Sequence, residues 1–276
     1  MIALTGATGA VGGLVAHRLA DLRPRLVVRD AGRAPDLGGE VREATYADTA
    51  AMRAALDGVE TLFLVSAAES GRRRAEHRSA IEAAAAAGVR HVVYTSFQGA
   101  SPDATFTLGR DHADAEATIP ASGMSATLLR DNFYADILPL FADTEGVLRG
   151  PAGEGRVAAV ARADVADVAA AVLRDPAAHA GATYTLTGPE ALTLTEVADR
   201  AGAVLGRPLR YLEETVEEAY ASRRAGWPDT PDWQLDAWVS TYTAIADGSV
   251  AAVSDDVRRV TGRAARTLEE ALDRRA

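Results

Sequence analysis

Cysteine and lysine are both missing from this sequence, and all 29 of its Lys and Arg positions are arginine. Without cysteine, disulfides, thiolate catalysis and thiolate-ligated metal sites are excluded. Without lysine, Schiff-base chemistry and a lysine general base are excluded as well. The five histidines show no metal-ligand spacing. The chemistry therefore depends on other side chains, on the backbone or on a bound organic cofactor.

Excess positive charge and long apolar runs are missing too. The formal net charge is −10, whereas binding to nucleic acid or to anionic membranes needs a basic face. No apolar run approaches the roughly 20 residues of a membrane span. The first strand is predicted to begin at Ile2, which leaves no room for a signal peptide. We therefore expect a cytoplasmic protein that acts on a small molecule, without nucleic acid or membrane partners.

Short apolar segments alternate with helical patterns along the first two-thirds of the chain. Between the first two segments, Val11, Val15 and Leu19 recur at the spacing of one helix face. The alternation predicts repeated βα units on a parallel sheet. The predicted strands cover residues 2–5, 25–28, 41–44, 61–65, 91–94, 125–129 and 182–186.

Beyond about residue 131 the alternation loosens, and residues after Gly188 are mostly helical in pattern. All three tryptophans, Trp227, Trp233 and Trp238, lie in this part of the chain. We expect them to form core, and walls of the substrate site are the alternative. The predicted fold is α/β, with a doubly wound parallel (Rossmann) sheet in residues 1–150. Residues 151–276 are predicted to add the remaining sheet elements and a smaller, mostly helical C-terminal substrate lobe.

A glycine pattern follows the first predicted strand directly and opens the first predicted helix. Gly6, Gly9 and Gly12 are spaced G-x-x-G-x-x-G. In this context glycines allow a tight turn, close approach of the backbone to a pyrophosphate, and close helix-to-strand packing. The following helix would offer free N–H groups and its positive dipole end to the phosphates. The pattern predicts dinucleotide binding.

The residues after the second strand indicate which dinucleotide is bound. Arg29 and Arg33, in "VVRDAGR", can grip a ribose 2′-phosphate through charge-assisted hydrogen bonds. Asp30 lies between them and would serve an NAD ribose if the turn were rotated. Arg29 as a solvated surface residue is the alternative. The pattern favours NADP(H).

Six segments carry a wider likeness: "TGATGAVG", "VVRDAGR", "EATYADTAAM", "FLVSAAE", "AEHRSAIEAAAAAGVRHVVYTS" and "TLLRDNFY". In their order and spacing, and in the tail "DDVRRVTGRAARTLEEAL", the sequence resembles the NmrA-like branch of atypical short-chain dehydrogenase/reductases. Within that branch it is most similar to the bacterial NAD(P)H:quinone oxidoreductase and triphenylmethane reductase type. The resemblance implies a Rossmann domain, a small substrate lobe and flavin-free hydride transfer from NADPH.

The resemblance also implies cofactor-binding residues, position by position. It assigns the 2′-phosphate to Arg29, the adenine side to Tyr46 and Asp48, and the vicinity of the reacting ring to Thr95 and Ser96. It places Ser66, Ala67 and Ala68 along the ribose and the nicotinamide. The pyrophosphate turn comprises Gly6, Ala7, Thr8, Gly9, Ala10, Val11 and Gly12.

The Tyr-x-x-x-Lys pair of better-known reductases in this superfamily is absent, and the corresponding positions read Ala113 and Ala117. Hydride transfer to a quinone does not require this pair, because the acceptor is already electrophilic and solvent can supply the proton. We assign Ser96 a hydrogen bond to a substrate oxygen or to the nicotinamide amide, and His112 a proton relay. The alternatives are a capped strand end for Ser96 and a solvent-facing helix residue for His112.

Two other segments are interpreted from their position. Asn132, Phe133 and Tyr134 follow the sixth strand, where doubly wound sheets present ligands, so we assign them to substrate binding; packing between lobes is the alternative. "GRRRAEHR" opens a helix and is flanked by acids, so we interpret it as a solvated helix face.

The sequence therefore predicts an NADPH-dependent reductase that transfers hydride directly to a quinone or a similarly conjugated small molecule, without flavin or metal. Two alternatives stay open. One is a non-catalytic regulator that senses NADP(H), and the other is a tailoring enzyme of secondary metabolism. Neither the acceptor nor the oligomeric state follows from the sequence.

Overall fold

The computed structural model describes residues 1–273. Within them, no helix is long and apolar enough to cross a membrane. The strands are β1 (Ile2–Thr5), β2 (Arg25–Val28), β3 (Val41–Glu43), β4 (Thr61–Leu64), β5 (His91–Phe97), β6 (Ser125–Asp131), β7 (Val147–Gly150), β8 (Arg156–Val157), β9 (Thr183–Thr185), β10 (Leu192–Thr193) and β11 (Arg210–Glu213). The α-helices are α1 (Ala10–Arg18), α2 (Thr49–Ala55), α3 (Arg73–Ala86), α4 (Thr107–Ala121), α5 (Arg162–Arg174), α6 (Leu194–Leu205), α7 (Val216–Gly226), α8 (Asp232–Ala246), α9 (Asp256–Thr261) and α10 (Leu268–Leu272).

Seven strands form one sheet in the order β3-β2-β1-β4-β5-β6-β9. The pairs β1–β2, β2–β3, β1–β4 and β4–β5 are parallel. The chain builds outward from β1 to β3, then returns to β1 and builds the other half from β4 onward. This reversal beside β1 defines the doubly wound α/β arrangement, so the predicted Rossmann-type fold is confirmed.

The strands next to the reversal are buried on both faces, as their nearly continuous apolar sequences require. All four residues of β4 are buried, and Leu64 packs in a core with Met52 of α2 and Ile81 of α3. This core fixes the carboxyl ends of β1 and β4 side by side.

The chain divides into two compact units whose segments interleave. The first contains Met1–Phe97, Asp111–Arg130 and Val165–Tyr184; the second contains Gln98–Arg110, Asp131–Asp164 and the chain from Thr185 onward. The loops after β5 and β6 therefore belong to the second unit, and most of α5 belongs to the first. This interleaving replaces the single boundary predicted near residue 150. The units are nearly equal in length, so the second is not the smaller lobe that was expected.

The second unit contains two short sheets, β7 with β11 in parallel and β8 with β10 antiparallel, together with α6 to α10. Its tryptophans are not core residues. Trp227 is 58% exposed and meets Trp238 edge-on at a ring-centroid distance of 5.5 Å, while Trp233 and Trp238 are half-buried. The expectation of a tryptophan core was wrong, because Trp227 caps the end of α7 instead of occupying its buried face.

Candidate functional site

The turn between β1 and α1 requires glycine for steric reasons. Gly6 has a φ of +66° and its carbonyl accepts a 2.8 Å hydrogen bond from the Gly9 N–H. A Cβ on Gly12 would lie 2.3 Å from the Gly6 oxygen, a distance that the backbone cannot accommodate. The glycine pattern therefore produces the tight turn and close helix packing that were predicted.

The amino end of α1 is open. Its N-cap, Gly9, offers no side-chain cap, and the first turn contains no acidic residue. Thr8 is half-buried and Ala7 and Val11 are buried, whereas Gly9 and Ala10 are exposed. The first N–H groups of a helix lack intrahelical partners and carry its positive dipole end, so this cradle fits a pyrophosphate.

Arg29 and Arg33 lie just beyond β2, and both are exposed. Neither side chain forms an ion pair or hydrogen bond with the residues the structure describes. Asp30 differs, because its carboxylate accepts a 3.0 Å bond from the Gly32 N–H and caps the short turn Ala31–Arg33. The Arg29 and Arg33 guanidiniums have no such partner in the described part of the chain, whereas the Asp30 carboxylate is already hydrogen-bonded. This arrangement fits a ribose 2′-phosphate better than a ribose with a free 2′-hydroxyl.

Tyr46 and Asp48 have structural contacts of their own. The Tyr46 hydroxyl lies 2.6 Å from both Thr5 Oγ1 and the Val65 carbonyl oxygen, so it ties the ends of β1 and β4 together. Its burial raises the pKa of this phenol. Asp48 caps α2 by accepting a 2.9 Å bond from the Ala51 N–H. Their predicted place near adenine stays a prediction.

The loop 65–72 joins β4 to α3, and polar side chains outside the loop form hydrogen bonds with its backbone. The Ser66 N–H donates to Thr95 Oγ1 at 2.7 Å, and the Ala67 N–H donates to His77 Nε2 at 2.8 Å. Arg73 Nε donates to the Ala67 carbonyl at 2.9 Å. Ala68 is exposed. The structure thus brings Ser66, Ala67 and Thr95 together. Their predicted place along the ribose and the nicotinamide stays a prediction.

A buried polar cluster lies behind this loop. Arg73 is 5% exposed and His77 is fully buried. Arg73 Nη2 lies 2.9 Å from His112 Nε2, and the Tyr94 hydroxyl lies 3.1 Å from His112 Nδ1. The interpretation of "GRRRAEHR" as a solvated face was therefore wrong for Arg73 and His77. They occupy the helix stripe that Ala80 and Ala84 continue, and extending that stripe backward would have found them.

Both histidines of the cluster are neutral. Burial and then the Arg73 charge lower the pKa of His77 to about 3 and that of His112 well below its usual range. Because Nε2 of each ring accepts a hydrogen bond, its proton resides on Nδ1. The alternative of a solvent-facing His112 is wrong. The predicted relay would have to use a neutral imidazole whose Nε2 is already bonded to Arg73.

Ser96 has no exposed surface. Its hydroxyl donates to Glu116 Oε1 at 2.5 Å, and Glu116 is in turn held by two bonds from Arg130, at 2.8 and 2.6 Å. A hydroxyl proton committed to a carboxylate does not reach a substrate oxygen in this conformation. The geometry favours the strand-end alternative for Ser96 and places Glu116, which the sequence did not single out, one residue before Ala117.

The three predicted substrate residues belong to the second unit. The amide of Asn132 is hydrogen-bonded at both ends: it donates to Gln98 Oε1 and the Val250 carbonyl, and accepts from the Phe133 N–H. The ring of Phe133 meets Phe106 edge-on. The Tyr134 hydroxyl donates to Asp131 at 2.6 Å, and burial raises its pKa well above the ordinary value. Their role in substrate binding stays a prediction.

Comparison with known proteins identifies relatives along the whole chain. A family model described as NAD(P)H-binding matches residues 6–176. Quinone oxidoreductase 2 of Escherichia coli (strain K12) is 34% identical over 99% of this chain and 97% of its own length. NAD(P)H azoreductase of Xenophilus azovorans is 35% identical over 98% of this chain and 96% of its own.

A third relative, from Streptomyces griseus, is a (4-alkanoyl-5-oxo-2,5-dihydrofuran-3-yl)methyl phosphate reductase; it is 36% identical over 98% of this chain and 96% of its own. Among solved structures, the NADPH complex of the Escherichia coli NADPH-dependent quinone oxidoreductase matches with a TM-score of 0.88 and 34% identity, covering 99% of this chain and 98% of that one.

Proposed function

This chain belongs to the NAD(P)H-binding family, and from that membership we propose that it is an NADPH-dependent reductase of quinones or similarly conjugated small molecules. The observation that carries the proposal is the glycine cradle at Gly6–Gly12 beside the two uncommitted arginines. The three relatives support the proposal, because each is named as an oxidoreductase or a reductase. In the proposed reaction a hydride from NADPH and a proton from water convert a quinone into a hydroquinone and leave NADP⁺.

The chain's own contribution begins with binding. The open amino end of α1 would hold the pyrophosphate through backbone N–H groups. Arg29 and Arg33 would hold the 2′-phosphate through charge-assisted hydrogen bonds. The loop 65–72 would lie along the ribose and nicotinamide. These groups fix the hydride donor and leave catalysis to proximity and orientation.

No residue needs to deliver a strongly acidic proton in this reaction. The reduced form of a conjugated acceptor is a stabilised anion that water can protonate. This agrees with alanine at both positions of the missing pair, Ala113 and Ala117, and with the neutral state of His112. A simple ketone, whose alkoxide needs a proton as it forms, would be a poor substrate.

The test is the loss of NADPH absorbance with purified protein across a quinone, an azo dye, a conjugated lactone and a simple ketone. We expect loss that depends on a conjugated acceptor, is faster with NADPH than with NADH, and is negligible with the ketone. Equal rates with the ketone would contradict the proposed acceptor class.

Tight NADPH binding with no loss for any acceptor would instead favour the sensing function. The observation behind that second candidate is that Ser96 and His112, the predicted chemical groups, are both engaged in buried contacts. A sensor would distinguish NADP⁺ from NADPH in affinity while consuming neither.

A further inference from the structure

We infer that Arg73 and His77 are positioning residues that fix the Ala67 peptide, and with it the part of loop 65–72 that lies along the nicotinamide. The inference rests on the proposed function for the identity of the bound molecule. It concerns two side chains that neither the sequence patterns nor the proposed mechanism assigns.

The geometry is a two-sided clamp on one residue. His77 Nε2 accepts from the Ala67 N–H at 2.8 Å, while Arg73 Nε donates to the Ala67 carbonyl at 2.9 Å. Arg73 and His77 are four residues apart on α3, so they project from the same helix face. Thr95 secures the preceding N–H, that of Ser66. Three backbone polar groups of two consecutive residues are therefore held by side chains from α3 and β5.

The clamp is itself braced from the side away from the loop. Arg73 Nη2 lies 2.9 Å from His112 Nε2 on α4, and Arg73 Nη1 lies 3.5 Å from an Asp111 carboxylate oxygen. The Tyr94 hydroxyl lies against the other nitrogen of His112. A planar guanidinium whose three nitrogens are so directed is held in one orientation.

The burial of this cluster argues for a role beyond stability. Arg73 is 5% exposed, and His77 and Tyr94 are fully buried. Burying a charge carries a desolvation penalty that apolar side chains of similar volume avoid. An ordinary helix-to-sheet contact needs no charged group, whereas fixing the half-buried backbone of Ser66 and Ala67 in one position does.

The consequence concerns hydride transfer more than affinity. The predicted pyrophosphate and 2′-phosphate sites lie on the turn after β1 and beyond β2, whereas the clamp holds Ala67 in the loop after β4. A loop displaced by about 1 Å lowers the rate of an oriented reaction by up to about 100-fold. Loss of the clamp should therefore slow the chemical step while NADPH affinity changes little.

His77→Leu and His77→Gln test this. Leucine removes the acceptor, whereas the glutamine amide oxygen can accept from the Ala67 N–H. We expect His77→Leu to lower the single-turnover rate of NADPH oxidation at least about tenfold, with an NADPH Kd within about threefold of wild type. The isotope effect with deuterated NADPH should rise, and His77→Gln should restore the rate to within about threefold. His17→Leu, at an exposed histidine on α1, is the matched control.

The fluorescence of bound NADPH gives a readout without turnover. The emission of the bound nicotinamide should change in His77→Leu and return in His77→Gln, even if the proposed acceptors prove wrong. Wild-type emission and rate in His77→Leu would overturn the inference, as would a rate loss that only follows the fraction of protein binding NADPH.

If His77→Leu does not fold, Arg73→Lys tests the same positioning role. Lysine keeps the charge but lacks the planar fork whose separate nitrogens, Nε and Nη2, reach the Ala67 carbonyl and His112. We expect the rate to fall with NADPH Kd preserved. Arg53→Lys, at an exposed arginine on α2, should leave both unchanged. An Arg73→Lys protein with the wild-type rate would overturn the inference.

Discussion

The glycine turn at residues 6–12 and the loop 65–72 differ in what holds them, although they follow neighbouring parallel strands. The first is fixed by its own small residues: Gly6 adopts a positive φ, and Gly12 admits the Gly6 carbonyl. The second also has small residues at its tip, but its backbone is held by Arg73, His77 and Thr95. Local sterics determine one backbone, and remote polar side chains determine the other.

This contrast predicts that adding a single methyl group to the glycine turn at residues 6–12 disrupts the turn and weakens NADPH binding. In Gly12→Ala the new Cβ would lie 2.3 Å from the Gly6 oxygen and 2.5 Å from its carbonyl carbon, so the turn must open. We expect NADPH affinity to fall by at least about 100-fold, equivalent to about 2.7 kcal/mol. A fluorescence titration measures it.

Gly226→Ala is the matched control, because nothing lies within 4 Å of a Cβ built there. It should bind NADPH like the wild type. Wild-type affinity in Gly12→Ala would show that the turn is not the pyrophosphate cradle.

A smaller effect is expected where binding uses an exposed side chain. Arg29→Ala removes a guanidinium that has no partner among the described residues, so little should happen to the fold. Charge-assisted hydrogen bonds contribute enough for NADPH Kd to rise about 10- to 100-fold, while Kd for NADH changes less than about threefold. Parallel titrations with both cofactors measure this. Equal weakening of both would place Arg29 away from the 2′-phosphate.

The same contrast explains what could be predicted from the sequence. The strands, the glycine turn and the arginines beyond β2 depend on neighbours in the chain, so local patterns indicated them. Arg73 and His77 depend on contacts with α4 and β5, and three consecutive arginines in "GRRRAEHR" concealed which one is buried. The interleaving of the two units was missed for a similar reason, since the loops after β5 and β6 group with distant parts of the chain.

The buried histidines predict a loss of stability in acid. A histidine in the unfolded chain has a pKa near 6.5, whereas that of His77 is lowered to about 3. Because the folded value is the lower one, its stabilisation is complete above pH 6.5 and declines as the pH falls toward 3. At about pH 5 this costs about 2 kcal/mol, or a Tm lower by roughly 4–8 °C.

His77→Gln does not titrate, so its Tm should fall less than that of the wild type between about pH 7.5 and pH 5. His112 shifts in the same direction and should account for part of the remaining fall. His17→Leu removes an exposed histidine and should follow the wild-type curve. If the Tm of the wild type and that of His77→Gln fell equally with pH, the His77 imidazole would not be buried as a neutral group.

The smallest effect on the reaction is expected at Ser96, the residue from which sequence reasoning expected chemistry. Its proton is committed to Glu116, so Ser96→Ala removes a buried hydrogen bond that contributes about 1 kcal/mol. We expect a Tm lower by about 2–4 °C and a single-turnover rate within about threefold of wild type. Glu116→Gln should lower Tm further, because it also leaves Arg130 without its charged partner. A tenfold slower hydride transfer in Ser96→Ala at unchanged Tm would show instead that Ser96 releases Glu116 and turns to the acceptor during the reaction.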